Sequence, residues 1–305
     1  MHRYAAARAR RGCCAHRRRL RGFSTASSAS PLLIVGVDSG TQSTKACVFD
    51  AAGALVSEAS APQTIASPVD GYAEQDIAEW RSGVFAAIRD AVDAVPAAQR
   101  APVAAIGLSF QRESFTLIDT PVDDDAPLVP LRPAILWLDG RADGEVAAMR
   151  SGSAEPALSA DLYHQATGKP LDVTSACARM RWLAEHEPEL LRAPFQWVDC
   201  GAVLSHALTG ELTTCIAGAD TCGLVDLHHR RWSEEILAVA GLTVSQMPAL
   251  AEPGALLGGG VTAAAAAELQ GAVQEGCPVV MAGWVAFTSS YFRKLAPLPS
   301  CLACN

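Results

Sequence analysis

Three short polar clusters bring together side chains able to bind a charged or hydroxylated ligand. The first is Asp38-Ser-Gly-Thr-Gln-Ser-Thr44, between an apolar β-branched run at 32–37 and a second strand pattern at 45–49. Gly40 permits a sharp reversal close to a ligand. Thr41, Ser43 and Thr44 add hydroxyls around Gln42, Lys45 follows, and the backbone N–H groups of such a turn can converge on phosphate oxygens. Asp38 can hold Mg2+ through water, because a hard cation takes oxygen ligands and keeps several waters. An ordinary hairpin turn with capping hydroxyls has the same composition. The second cluster, Gln111-Arg112-Glu113, follows a strand pattern ending at Leu108. Open α/β sheets bind ligands outside strand carboxyl ends, and Arg and Glu offer complementary donors and acceptors for hydroxyls. A surface ion pair would read the same way. The third cluster, residues 131–141 (LRPAILWLDGR), carries Trp137, whose ring can floor a sugar pocket or pack in the core. Asp139 and Arg141 beside it can bond hydroxyls.

These clusters need a scaffold, and hydrophobic spacing predicts one. A turn at 50–53 and alternation over 54–60 predict a third strand, so the sheet starts antiparallel. Ile77, Trp80, Val84, Ile88 and Val92 recur at three or four, which predicts an amphipathic helix over 75–95. Further strands are expected at 103–108, 115–119, 134–137 and 277–282. Helices are expected at 174–186, 201–209, 233–240 and 262–274, the last capped by Thr262. The acidic, proline-bearing stretch 120–130 reads as a surface loop. The chain is α/β, with no repeat of fixed period.

The 305 residues are 50% hydrophobic and 18% charged, which supports a packed core. No long uninterrupted apolar stretch predicts a membrane span. The net charge of -8 conceals an asymmetry: eight of the 24 basic residues are arginines within residues 1–30, which contain no acid. The rest of the chain therefore carries 16 basic side chains against 32 acidic ones, which argues against a nucleic-acid partner. Ten cysteines at scattered spacings fit a reduced compartment better than a disulfide framework. Cys301 and Cys304 form a lone CxxC with no second pair for zinc, and His228-His229 reads as a solvated turn. Residues 1–30 have the composition of an organelle transit peptide rather than a secretory signal. Arg21-Gly-Phe-Ser24 resembles a mitochondrial cleavage site, so a mitochondrial destination is expected, with a plastid as the alternative. A disordered basic arm is the other reading.

In chain order, VGVDSGTQSTKACVFD, DGYAEQDIAEW, GLSFQRES and LRPAILWLDGRA resemble the start of the FGGY family of carbohydrate kinases. The TGKP…RMRWLAEHEPE, LTGELTT, RRWSEEIL and QMPAL segments continue the resemblance, which covers residues 32–282. It implies two actin-like, ribonuclease-H-like domains around a deep cleft, with sugar held mainly by the first and ATP by the second. The implied chemistry moves the γ-phosphoryl of ATP to a sugar or polyol hydroxyl with Mg2+. The implied partner is that small molecule, not nucleic acid or membrane, and family members are often homo-oligomeric. The resemblance puts Asp38 near the metal and Gly40, Thr41, Gln42, Ser43, Thr44 and Lys45 near the phosphates. Gln111, Arg112, Glu113, Trp137, Asp139 and Thr174 fall around the sugar. EQD, LRPAILWLDGR and HEPE look most like xylulokinases, which implies a ketopentose such as xylulose. The Gln-Arg-Glu triplet resembles glycerol kinases instead, making glycerol or another polyol the alternative.

The pattern departs after Pro278-Val279-Val280. The family continues into a glycine-rich turn with an Asp as general base, whereas here that position falls near Val285 and no acid follows Glu275. The expected organisation is a transit peptide at 1–30, a sugar-binding domain at 31–283 and an unrelated tail at 284–305 in place of an ATP-binding domain. No catalytic residue is expected, and the chain as written is expected to be inactive: a non-catalytic isoform or an unstable fragment.

Overall fold

The apolar run after Pro31 becomes β1 (Leu33–Ser39), antiparallel to β2 (Ser43–Asp50), which pairs in turn with β3 (Leu55–Pro62). This computed structural model describes residues 31–121, 126–153 and 158–281; the expectations for residues 1–30, Val285 and the tail lie outside the described residues. The β2–β3 turn follows from its composition. The Asp50 carboxylate accepts from the N–H groups of Ala52 and Ala54 at 2.9 Å, and Gly53 takes a left-handed φ of 76°. After β4 (Glu74–Gln75), α1 (Ile77–Asp93) starts where Asp76 accepts from the Ala78 N–H at 2.8 Å. Its buried stripe includes Ile77, Trp80, Val84 and Ile88, as their spacing predicts. The chain returns as β5 (Val103–Phe110), parallel to β1.

The next segment supplies β6 (Phe115–Asp119), β7 (Ala134–Ile135), α2 (Asp143–Ser151), α3 (Ala160–Thr167), α4 (Ala176–His186) and β8 (Phe195–Asp199). There follow α5 (Cys200–Thr209), β9 (Thr213–Cys215), α6 (Ile216–Ala219), β10 (Val225–Asp226), β11 (Arg231–Trp232) and α7 (Glu234–Val239). The last described elements are β12 (Ala249–Ala251), β13 (Leu256–Leu257), α8 (Ala263–Glu268) and β14 (Val279–Met281). A six-stranded mixed sheet runs β13-β14-β5-β1-β2-β3, and a smaller four-stranded sheet runs β4-β7-β6-β8. One core packs α1 and α5 on the larger sheet around Val35, Val84, Ile88 and Leu108. A second gathers around Phe115, Leu117, Met180 and Trp197.

Several elements differ from expectation for local reasons. The helix expected over 262–274 is capped by Thr262 but stops at Glu268, because Gln270 and Gly271 are left-handed at φ 53° and 83°. The strand at 134–137 pairs only over Ala134–Ile135, which frees the chain to turn at Trp137. The helix expected from 174 starts at Ala176, leaving Thr174 in the turn before it. No described helix is long and apolar enough to cross a membrane.

Candidate functional site

The β1–β2 connection is tighter than the sequence implied. Both strands run to the turn, which the Gly40 N–H closes by donating to the Ser43 carbonyl at 3.0 Å. Side chains alternate along a strand, and that alternation divides the cluster. Ser39 and Thr44 point inward, fully buried, with their hydroxyls 3.0 Å apart and Gln63 Nε2 donating to Thr44 Oγ1 at 2.7 Å. Thr44 also packs on α1 at Gly83, where an added Cβ would lie 3.3 Å from Thr44 Oγ1. Thr44 is therefore not on the open face with its neighbours. Asp38, Gly40, Thr41, Gln42, Ser43 and Lys45 instead line a cavity of about 300 Å³, together with Trp137 and the apolar Ile65 and Leu138.

Asp38 sits opposite Lys45 on one side and Ser109 on the other. Burial pushes its carboxyl pKa up, and the Ser109 hydroxyl and Lys45 ammonium pull the other way. A carboxylate held partly desolvated on a cavity wall suits a hydrated hard cation, whose charge would favour the ionised form. Among the described residues, Glu145, Glu185 and His186 also lie close enough to share an ion, within 4.8 Å of one another, but two of the three are exposed on the surface.

The second cluster leaves β5 through Phe110, whose ring is gripped between α5 and α6. A Cβ on Gly201 or Gly218 would come within 2.4 or 2.5 Å of that ring, so only glycine permits the approach. The strand end is pinned further by the Gln111 N–H, which donates to the Ser39 carbonyl at 2.7 Å. Beyond it, Glu113 takes a left-handed φ of 63°, a conformation L-residues rarely adopt. Its carboxylate lies 3.8 Å from Lys169 Nζ. Lys169 donates to Thr174 Oγ1 and to the Thr221 carbonyl, each at 2.7 Å, and lies 3.6 Å from Asp172. Asp220 completes the group: burial raises its pKa, and the Arg112 and Lys169 charges oppose the rise. Glu113 and Thr174 thus meet at Lys169, Arg112 lies near enough for its charge to act on Asp220, and Lys169, Asp172 and Asp220 are members that the sequence reading missed. The signal was present, since Lys169 is the lysine of TGKP and Asp172 lies two residues beyond that segment, just before Thr174.

Trp137 resolves one alternative left open by the sequence. It is not a core residue: it is 44% exposed, on the cavity wall, and its Nε1–H donates to Thr41 Oγ1 at 2.9 Å. Arg179, fully buried, steadies this region by donating to the Leu136 carbonyl at 3.0 Å and to the Thr174 carbonyl.

Asp139 is placed differently from its neighbours. It is fully buried, and both oxygens are committed within the protein. Oδ1 accepts from the Arg141 N–H and Nε at 3.0 and 2.8 Å; Oδ2 accepts from the Ala73 N–H at 2.6 Å and Arg141 Nη2 at 2.8 Å. Burial alone would raise its pKa, but these bonds outweigh it and hold the carboxyl below its ordinary value. Arg141 and Arg132 both donate to Glu74, at 2.7 and 2.6 Å, and Arg132 reaches Glu187 at 2.9 Å. The EQD, LRP, LDGR and HEPE segments therefore converge on one largely buried ion network that fixes the scaffold. A separate cavity of about 350 Å³, lined by Ile77, Arg81, Val203 and His206 among others, contains none of the expected site residues.

Comparison with known proteins agrees with this geometry. Residues 33–286 match the N-terminal domain of the FGGY family of carbohydrate kinases. The chain is 32% identical over 233 residues to a xylulose kinase of Streptomyces rubiginosus, covering 76% of this chain and 45% of that one. It is 28% identical over 232 residues to a glycerol kinase of Herminiimonas arsenicoxydans, covering 74% and 44%. Among solved structures, the xylulose kinase of Rhodospirillum rubrum superposes with a TM-score of 0.72 at 28% identity, over 83% of this chain and 48% of that chain. The chain thus spans a little under half the length of these curated relatives. The α/β fold is the actin-like, ribonuclease-H-like one that the motifs implied.

Proposed function

The chain belongs to the FGGY family of carbohydrate kinases, and from that premise we propose that residues 31–283 form the sugar-binding half of an ATP-dependent sugar or polyol kinase. The observation that carries this reading is the bond between Trp137 and Thr41. It joins the ring suited to floor a sugar pocket to the turn suited to phosphates, on the wall of one cavity. In this reading Arg112, Glu113 and Thr174 bind and orient the sugar hydroxyls, while Gly40 to Ser43 and Lys45 face the phosphates. Asp38 is the residue that would hold a hydrated Mg2+. Mg-ATP, when bound, supplies the γ-phosphoryl group. Positioning is the larger part of such catalysis, of order 7–11 kcal/mol.

A ketopentose such as xylulose is the proposed substrate class, on the xylulokinase-like segments. Glycerol or another polyol is the second reading, favoured specifically by the Arg112-Glu113 pair. Turnover needs a second wall and a general base, and in this reading the base position falls near Val285, where no acid stands. This 305-residue polypeptide by itself is proposed to bind sugar without phosphorylating it. A coupled assay of ADP release with xylulose, ribulose and glycerol tests this. The chain alone should show no sugar-dependent turnover. Residues 31–283 joined to the Streptomyces rubiginosus relative from its general-base turn onward should show turnover that is fastest with a ketopentose. Sugar-dependent release by the chain alone, or sugar-independent release by the fusion, would overturn the reading. The proposed destination is the mitochondrion, with a plastid as the alternative; a reporter carrying residues 1–30 that stays cytosolic would refute both.

A further inference from the structure

Gln75 lies two residues before α1, is 2% exposed and is not itself among the residues that line the open cavity. Its amide nonetheless has three partners, and their chemistry fixes which way it points. Trp80 Nε1–H is only a donor, and it reaches Gln75 Oε1 at 2.9 Å. Gln75 Nε2 must then be the end that donates to the Thr41 carbonyl, at 2.6 Å. Gln111 Nε2 donates to the same Gln75 oxygen at 2.9 Å, which turns Gln111 Oε1 towards the hydroxyls of Thr41 and Ser114, each 3.2 Å away. With its proton given to Gln111, the Thr41 hydroxyl has its lone pairs left for the Trp137 indole N–H at 2.9 Å. Ser114 likewise accepts the Trp137 backbone N–H at 3.2 Å. Donors and acceptors therefore run in one sense from Trp137 through Thr41 and Gln111 to Gln75, and close on the Thr41 carbonyl.

We propose that Gln75 is a positioning residue which, through this closed ring of hydrogen bonds, holds the phosphate-side turn at Thr41 and the sugar-side ring of Trp137 in mutual register. The role in substrate binding rests on the sugar-kinase reading, whereas the coupling of Gln75 to Trp137 does not. Gln75 touches Thr41 and Gln111 directly and Trp137 only through them. Chains of hydrogen bonds polarise and orient one another, so reversing one amide propagates along the ring.

The test uses the full 305-residue chain, 15N-labelled, with the indole N–H resonances of Trp80 and Trp137 assigned from Trp80→Phe and Trp137→Phe. In Gln75→Leu, the Trp137 indole resonance should shift and exchange faster although Gln75 does not contact it, and affinity for the bound sugar should fall about tenfold or more. Because burying Leu there could unfold the chain, Gln75→Glu serves as the second variant. When ionised it cannot donate to the Thr41 carbonyl; when protonated it can. The Trp137 indole resonance of this variant should therefore move with pH and return towards the wild-type position on acidification, unlike that of the wild type. A Trp137 resonance that stays at its wild-type position in both variants, with only Trp80 responding, overturns the proposal. A shifted Trp137 resonance with no sugar bound even by the wild type would uphold the positioning role and defeat the sugar-kinase reading, which separates the two.

Discussion

The Trp137 indole N–H donates to the Thr41 hydroxyl across 96 residues of sequence, at 2.9 Å, and joins two clusters that the chain presents far apart. Each side of that bond is held from behind by buried groups: Thr41 by Gln75 and Gln111, and Trp137 by Ser114. Cavity-facing residues can be exposed and still ordered on such a backing.

Asp139 supports this wall rather than touching ligand, and substitution should separate the two roles. Asp139→Ala strips Arg141 of a buried partner and leaves Glu74 as its remaining carboxylate. Breaking one side of a buried ion pair costs about 3–5 kcal/mol. Urea denaturation should show a loss of that size. An unchanged unfolding midpoint with weakened sugar binding would instead place Asp139 among the ligand groups.

Asp199 should make stability depend on pH in an unusual direction. Fully buried at the start of α5, it accepts from the Ala202 N–H at 2.8 Å and the Thr214 hydroxyl at 2.6 Å. Burial, the largest influence, pushes its pKa from 3.8 to about 6. The folded chain then keeps this proton between those values while the unfolded chain has lost it. The contribution is therefore fullest below pH 3.8 and is lost as pH rises through about 6, amounting to about 3 kcal/mol. Asp199→Asn can keep both contacts without the charge, its oxygen accepting from the Ala202 N–H and its Nδ2 donating to the Thr214 hydroxyl. Its stability relative to wild type should rise by about that amount between pH 4 and pH 7, measured by denaturant titration at each pH. A constant difference across the range would contradict the assignment.

Gly218 should govern the site from a distance through Phe110. Gly218→Ala would force the ring aside, at an overpacking cost of about 1–3 kcal/mol. Because Phe110 precedes the Gln111-Arg112-Glu113 triplet, the variant should also bind sugar more weakly than its stability loss explains. Comparing its sugar titration with that of an equally destabilised variant remote from the site checks this, and equal affinities would show that the triplet is not set by Phe110.

The first sheet was legible because its strands are apolar, β-branched and joined by turns with recognisable residues, as at Asp50 and Gly53. The helix from Ile77 was legible because its stripe is long and regular. The smaller sheet was legible only in part: β6 and the start of the 134–137 strand follow their apolar runs, whereas β4, two residues long, and β8 were not expected, and neither α2 nor α3 was anticipated. Site residues divided in the same way. Arg112, Glu113 and Trp137 could be picked out by type and place. Thr44 and Asp139 have equally suitable types, but strand alternation turns one inward and Arg141, two residues on, engages the other. Residue type says what a side chain can bond; only the fold says whether that capacity is already used. Lys169 and Gln75 each have partners close in sequence, but the bonds that tie them to the site, to Glu113 and Thr221 for one and to Thr41 and Gln111 for the other, join distant segments and form only after folding.

The most direct measurement is an equilibrium titration of the 305-residue chain with xylulose, ribulose and glycerol, followed by Trp137 fluorescence, with Trp137→Phe as the blank for the other five tryptophans. Binding of a sugar over the exposed ring should give a saturable change for a ketopentose at lower concentration than for glycerol. Arg112→Ala should weaken it by tenfold or more, since truncating one side of a desolvated charge-assisted bond costs about 2–5 kcal/mol. No saturable change with any of the three, or a change that Arg112→Ala leaves intact, would contradict the assignment of this wall to sugar recognition.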